Sequence, residues 1–193
     1  VAIGGGIGSS VIVSRYFGSQ KYGRMKAAAY TALTVFLLVS LFLAGFGLLF
    51  SRPILAALNT PADVFDMAAQ YLNIYFLGLP FLFMYNVLSS MFNALGKSKI
   101  PLGFLIFSSV FNIALDLVLV TRFHMGVAGA AWATLIAQGI SAVLSFLVLL
   151  LQFRSMEGER GKWFAREELL PMMKISLPSI LQHSTVSIGM TLV

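Results

Sequence analysis

Six apolar runs divide the chain: residues 1–18 (past Arg15), 27–50, 67–95, 100–121 (interrupted only by Asp116), 125–153 and 175–193. About 20 helical residues cross a hydrocarbon core of about 30 Å, so each run predicts a membrane span, the first lacking its beginning and the last only opening. Transmembrane strands would alternate polar and apolar positions over about ten residues, and these runs do not. Helices satisfy their own backbone in lipid. The expected fold class is therefore all-α, a polytopic transmembrane bundle with about six membrane helices in this stretch.

The connections agree with that division. Gly96-Lys97-Ser98-Lys99 reads as a turn before Pro101, which suits a first helical turn because its missing N–H costs nothing there. Ser51-Arg52-Pro53 and Asn59-Thr60-Pro61 are expected to punctuate the link between the second and third spans. The link over 121–125 is so short that the fourth and fifth spans must be antiparallel neighbours. Residues 154–174 form the one long polar stretch, with Glu157, Glu159, Arg160, Lys162, Arg166, Glu167 and Glu168. This stretch reads as a linker between an amino-terminal lobe (1–153, lacking its first helix) and the start of a second lobe (175–193).

Charge then orients the bundle. Cytoplasmic loops accumulate Lys and Arg. The connections after the first, third and fifth spans hold eleven of the thirteen basic residues, and the opposite side holds only Arg52 and Arg122. The linker is therefore cytoplasmic, and Tyr16, Phe17, Tyr22, Trp163 and Phe164 fall near the inner headgroups, where amphipathic rings are favoured.

Composition removes the competing classes. With 59% hydrophobic and 10% charged residues and a mean hydropathy of +0.90, the chain has too few polar side chains to cover a soluble globule, and its partner is the lipid bilayer. A net charge of +6 would suggest nucleic acid only if the basic residues formed a patch, and they lie between apolar runs. The absence of cysteine excludes disulfides and thiolate metal sites. Gly4-Gly5-Gly6-Ile7-Gly8-Ser9 lacks the Lys of a phosphate loop and follows no strand, whereas Gly4 and Gly8 form a GxxxG pair. Gly129, Ala133 and Ala137 make a second small stripe suited to close helix packing. Pro80 is expected to kink the third span.

Asp116 carries the strongest chemical signal. A carboxylate at the centre of a spanning helix costs at least about 2.5 kcal/mol, so it normally faces a bundle interior or a water-filled cavity. Asn112 stacks on the same helical face, four residues earlier. Counting inward at about 1.5 Å per residue, Asp116 lies ~8 Å below Thr121 and Thr134 ~12 Å below Gly126, so a carboxylate, an amide and a hydroxyl can converge. Such oxygen ligands suit a hard cation or a proton relay. The bland alternatives are interhelical hydrogen bonding by Asn112 and backbone bonding by Thr134. His183, beside Gln182, would join a proton path only if it faced water, and no acidic partner stands near it in the sequence.

Gly126-Val127-Ala128-Gly129-Ala130-Ala131-Trp132-Ala133-Thr134, after Asn112-Ile113-Ala114-Leu115-Asp116 and Ala94-Leu95-Gly96-Lys97-Ser98-Lys99, resembles the multidrug and toxic compound extrusion (MATE) family along essentially the whole chain. The resemblance implies family helices two to six and the start of the seventh, within a two-lobe, twelve-helix transporter. It also implies export of small organic compounds, cationic ones included, by alternating access, driven by entry of protons or sodium. It places the amino-lobe cation site, with any bound sodium, at Asn112, Asp116 and Thr134, and adds Asn86 as a cavity-lining residue by analogy. No cofactor beyond the coupling ion is expected. The full-length protein is expected to act as a monomer in the plasma membrane.

Two rivals stay open at this point. A lipid-linked saccharide flippase of the same superfamily would need cationic cavity side chains for its pyrophosphate, and the spans here carry none inside. An intramembrane enzyme or a non-transporting scaffold is the other, but no HExxH, paired intramembrane aspartates or GxSxG is present. The charge asymmetry makes a direct prediction for the full-length protein. Single cysteines at Ser19 and Ser98 are labelled only from the cytoplasm, and one at Thr60 only from outside; the reverse pattern would invert the topology.

Overall fold

The computed structural model describes residues 2–156 and 164–192, which fold as six helices. These are α1 (Ala2–Gly18), α2 (Tyr22–Ala57), α3 (Phe65–Ala94), α4 (Lys99–Leu117), α5 (Gly126–Ser155) and α6 (Arg166–Leu192). A π-helical turn, Val118–Arg122, prolongs α4. Four of these, α2, α3, α4 with its π-helical extension, and α5, are long and apolar enough to cross a membrane. Of the six expected spans, α1 stops at 17 residues, and α6 opens on Glu167 and Glu168.

Three boundaries differ from the expectation. Pro53 does not end the second span, because α2 runs through it to Ala57. A proline there removes only the bond to the Leu49 carbonyl, a loss that is small one turn from a helix end. The polar stretch 154–174 is helical at both flanks: Arg154 and Ser155 close α5, and Arg166 to Lys174 belong to α6. Arg154 in a last turn and Glu167 and Glu168 in a first turn both complement the helix dipole, which is why a charged segment still propagates helix. Residues 157–163, Trp163 included, lie outside the described residues. Pro80 lies within a continuous α3.

In lipid, helices gain nothing by hiding apolar surface from one another, so close contact has to hold them together. Accordingly α3 sits at the centre, packed by α1, α2 and α5, with α4 reached mainly through α5. Near the C-terminal ends of α1, α3 and α5 a dense core joins Val13 of α1, Met25, Ala28 and Ala29 of α2, Val87, Leu88, Met91 and Phe92 of α3, and Leu149 and Phe153 of α5. Tyr16, Phe17 and Tyr22 flank this core, and the Phe17 and Tyr22 rings meet edge to face at 6.3 Å. Lys26, read from the sequence as a loop cation, is buried in α2. Its ammonium donates to the Met156 carbonyl at 2.9 Å, satisfying an acceptor at the end of α5 where the dipole favours a cation. By contrast, α4 buries only Pro101 and exposes Leu102, Ile106, Val110 and Ile113.

The α2–α3 seam shows how tight the packing is. A Cβ built at Gly47 would lie 2.2 Å from the Phe76 ring. Gly47→Val is expected to lower thermal stability of the full-length protein by about 1–3 kcal/mol in detergent, the usual cost of overpacking. Adding Phe76→Leu is expected to recover part of that loss, as read by a double-mutant unfolding cycle.

Candidate functional site

Three helices enclose a cavity of about 290 Å³. α3 supplies Leu82, Tyr85 and Asn86, α4 supplies Leu105, Ser108, Ser109 and Asn112, and α5 supplies Thr134, Ala137, Gln138 and Ser141. The lining is apolar with neutral polar groups, and no Lys, Arg, Asp or Glu lines it. Tyr85 closes the α3–α4 side by donating to the Pro101 carbonyl at 2.9 Å. The buried small residues Ala133 and Ala137 let α5 lie close to its neighbours.

The amide of Asn112 donates from Nδ2 to Thr134 Oγ1 at 3.3 Å, across α4 and α5. The Thr134 hydroxyl in turn donates to its own Ala130 carbonyl at 3.0 Å. Thr134 thus bonds its own backbone, as the plainer sequence reading has it, and also meets the Asn112 amide of the neighbouring helix. The depth count explains the partner. Asn112 lies nine residues inward of Thr121, ~13 Å, which is level with Thr134.

Asp116 sits one turn further along α4, toward the link to α5, and it does not line the cavity. Its Oδ1 is buried with no hydrogen-bond partner. The structure therefore joins Asn112 to Thr134 directly and leaves a carboxylate oxygen unsatisfied one turn away. A buried unpaired acceptor is costly, and each such atom calls for a water, an ion or a proton. Asn86 lines the cavity while its amide donates to its own Leu82 carbonyl at 2.7 Å. The side chain of His183 lies outside the described residues.

Sequence reasoning missed Gln138 and Ser141. Thr134, Gln138, Ser141 and Ser145 recur at steps of four, three and four, a polar stripe on one face of an apolar helix. That periodicity was visible in the sequence. Ser141 Oγ and Ser145 Oγ are buried without partners. Gln138 and Thr134 also line a second, much smaller pocket between α3 and α5, together with Tyr71 and Tyr75.

A known family model, MatE, matches residues 1–118. The chain belongs to the MatE family. Among its curated relatives, the "Probable multidrug resistance protein YoeA" of Bacillus subtilis is 32% identical over 199 residues, covering 97% of this chain and 42% of that protein. The "Multidrug export protein MepA" of Staphylococcus aureus is 26% identical over 178 residues, covering 91% of this chain and 39% of that protein. The fold matches a crystal structure of MATE in the straight conformation with a TM-score of 0.87 at 22% identity, over 99% of this chain and 43% of that one. It also matches an inward-facing multidrug resistance MATE family transporter of the MOP superfamily, with a TM-score of 0.83 at 21% identity, over 98% of this chain and 43% of that one. The chain thus spans less than half the length of the MatE relatives it matches.

The α4–α5 bridge can be measured apart from transport. Asn112→Ala and Thr134→Val each remove the same interhelical bond, so in full-length MatE protein their unfolding free energies are expected to be non-additive. The coupling should be about 0.6 kcal/mol, the average for such bonds in a membrane bundle. Strict additivity would mean that the two side chains do not interact.

Proposed function

We propose that this chain is the amino-terminal part of a secondary antiporter that exports small organic compounds in exchange for protons or sodium. The observation that carries this reading is the unpaired Asp116 oxygen one turn from the Asn112–Thr134 bond, in a chain of the MatE family. Carboxylate, amide and hydroxyl oxygens are the donors that a hard cation prefers, and the carboxylate alone can take a proton. The neutral, mostly apolar cavity next to them suits an organic compound, including a cationic one, better than a pyrophosphate headgroup, which needs Arg or Lys.

The chemistry follows from charge. An ion or proton arriving at Asp116 removes its net negative charge, and with it the attraction for a cationic compound in the cavity. Substrate release to the outside is then coupled to ion entry. A proton moving down about one pH unit and about 100 mV releases roughly 1.4 and 2.3 kcal/mol, enough for a ~500-fold substrate gradient. The membrane is the plasma membrane, residues 154–174 lie in the cytoplasm, and the two lobes of one full-length monomer rock about a central cavity.

Asp116→Asn tests this reading because it keeps the shape and removes the titratable charge. The full-length variant is expected at parental level in the membrane, since losing the charge improves insertion. In proteoliposomes it is expected to lose export driven by an imposed proton or sodium gradient, while Asn112→Ala and Thr134→Ala weaken coupling less. Transport at the parental rate with unchanged ion dependence would make the carboxylate structural.

A further inference from the structure

Outside the cavity, the contact between α1 and α6 combines a close backbone crossing with a part-buried polar link, and neither belongs to the proposed cation site. The two helices run antiparallel in one register. Gly8 faces Ser176, and Tyr16 faces Glu168, each pair eight residues further toward the cytoplasm than the last. A Cβ built at Gly8 would lie 2.8 Å from the Ser176 backbone nitrogen and 2.9 Å from the Met172 carbonyl oxygen. Only glycine permits that approach, because the obstacle is backbone and cannot swing aside. About 12 Å toward the cytoplasm, the Tyr16 hydroxyl lies 2.8 and 3.1 Å from the two carboxylate oxygens of Glu168. Glu168 is only 6% exposed, and the Arg24 guanidinium lies alongside the same hydroxyl.

The root of α6 is held separately. The Ala165 N–H donates to Thr31 Oγ1 of α2 at 2.8 Å, and that hydroxyl donates to the Ala27 carbonyl. The segment is thus anchored at Ala165, crossed at Gly8, and linked to α1 between those points by one phenol and one carboxylate. A hydrogen bond to a carboxylate is charge-assisted and strong for its kind when made. It is also discrete: a small separation of the helices breaks it entirely, unlike a smear of apolar contacts.

We propose that Tyr16 and Glu168 form a latch that holds the cytoplasmic ends of α1 and α6 together, with the Gly8–Ser176 crossing as the fulcrum about which they part. The latch deepens the alternating-access reading by naming the contact that must break when the cytoplasmic side opens. Its test needs no transport. In the full-length protein in lipid nanodiscs, spin labels at Ser19 and Leu170 report the separation by electron–electron distance measurement, without substrate or ion gradient. The parent is expected to show a main short-distance population. Tyr16→Phe, which keeps the ring and loses only the hydroxyl, is expected to cut the closed-to-open ratio about tenfold. Glu168→Gln keeps an acceptor and is expected to cut it less, and Thr31→Val, which touches only the root, should leave it unchanged. The latch is overturned if the parent lacks the short population, or if Tyr16→Phe and Glu168→Ala both keep the parental distribution. A transporter that proves uncoupled from ions but shows the expected shifts would refute the antiport reading and leave the latch standing.

Discussion

Every backbone amide and carbonyl that enters hydrocarbon needs a partner from its own chain, and this requirement organises the whole molecule. It forces helix through each apolar run and confines irregular backbone to the ends. It also disarms most of the hydroxyls. Thr31, Thr34, Ser90, Ser109 and Thr185 each donate to a carbonyl four residues back, so within the bundle they act as extra backbone bonds more than as chemistry. Against that background, the buried oxygens left over, above all Asp116 Oδ1, are the informative ones.

The bundle also divides into a tightly packed region and a looser one beside it. The core is interdigitated, with Val13, Met25, Leu88, Met91, Phe92 and Leu149 fully buried across four helices. Beside that core, α4 packs on α5 but hardly touches α3, which leaves room among the three helices for the cavity. Polar groups collect where packing is loose, because water or a solute can complete their hydrogen bonds there.

Much of this was legible in the sequence. Span positions followed from hydropathy and length, and the pairing of helices α4 and α5 from the short link between them. Asp116 and Asn112 announced themselves as polar residues in apolar surroundings, and Asn112 does meet the Thr134 hydroxyl. What remained hidden depends on three-dimensional context. Lys26 looked like any loop cation, and only the position of the Met156 carbonyl explains its burial. Pro53 reads as a stop, yet near a helix terminus its missing donor costs little. Glu168 lay in a stretch read as solvated linker, and its partner, Tyr16, is 152 residues away in the chain. The convergence expected of Asp116, Asn112 and Thr134 rested on depth alone, and depth cannot say which of two carbonyl-bearing side chains a hydroxyl will meet.

The π-helical turn after Asp116 has a consequence for how this protein tolerates change in chain length. The Phe123 N–H reaches back five residues to the Val118 carbonyl, so the turn accommodates one residue more than an α-helix would. One residue corresponds to about 100° of rotation about the helix axis. Deleting one residue within 118–122 would let the turn close as regular helix with the side chains on either side still on their present faces, because the π-helical turn already takes up that residue's rotation. A deletion in the regular helix between Pro101 and Asn112 has no such buffer, and would turn Asn112 and Asp116 away from α5 relative to the start of α4 without any change in their own identity. In comparing related chains, a single-residue gap at this turn would therefore be compatible with an unchanged site, whereas the same gap earlier in α4 would mark a re-aimed one.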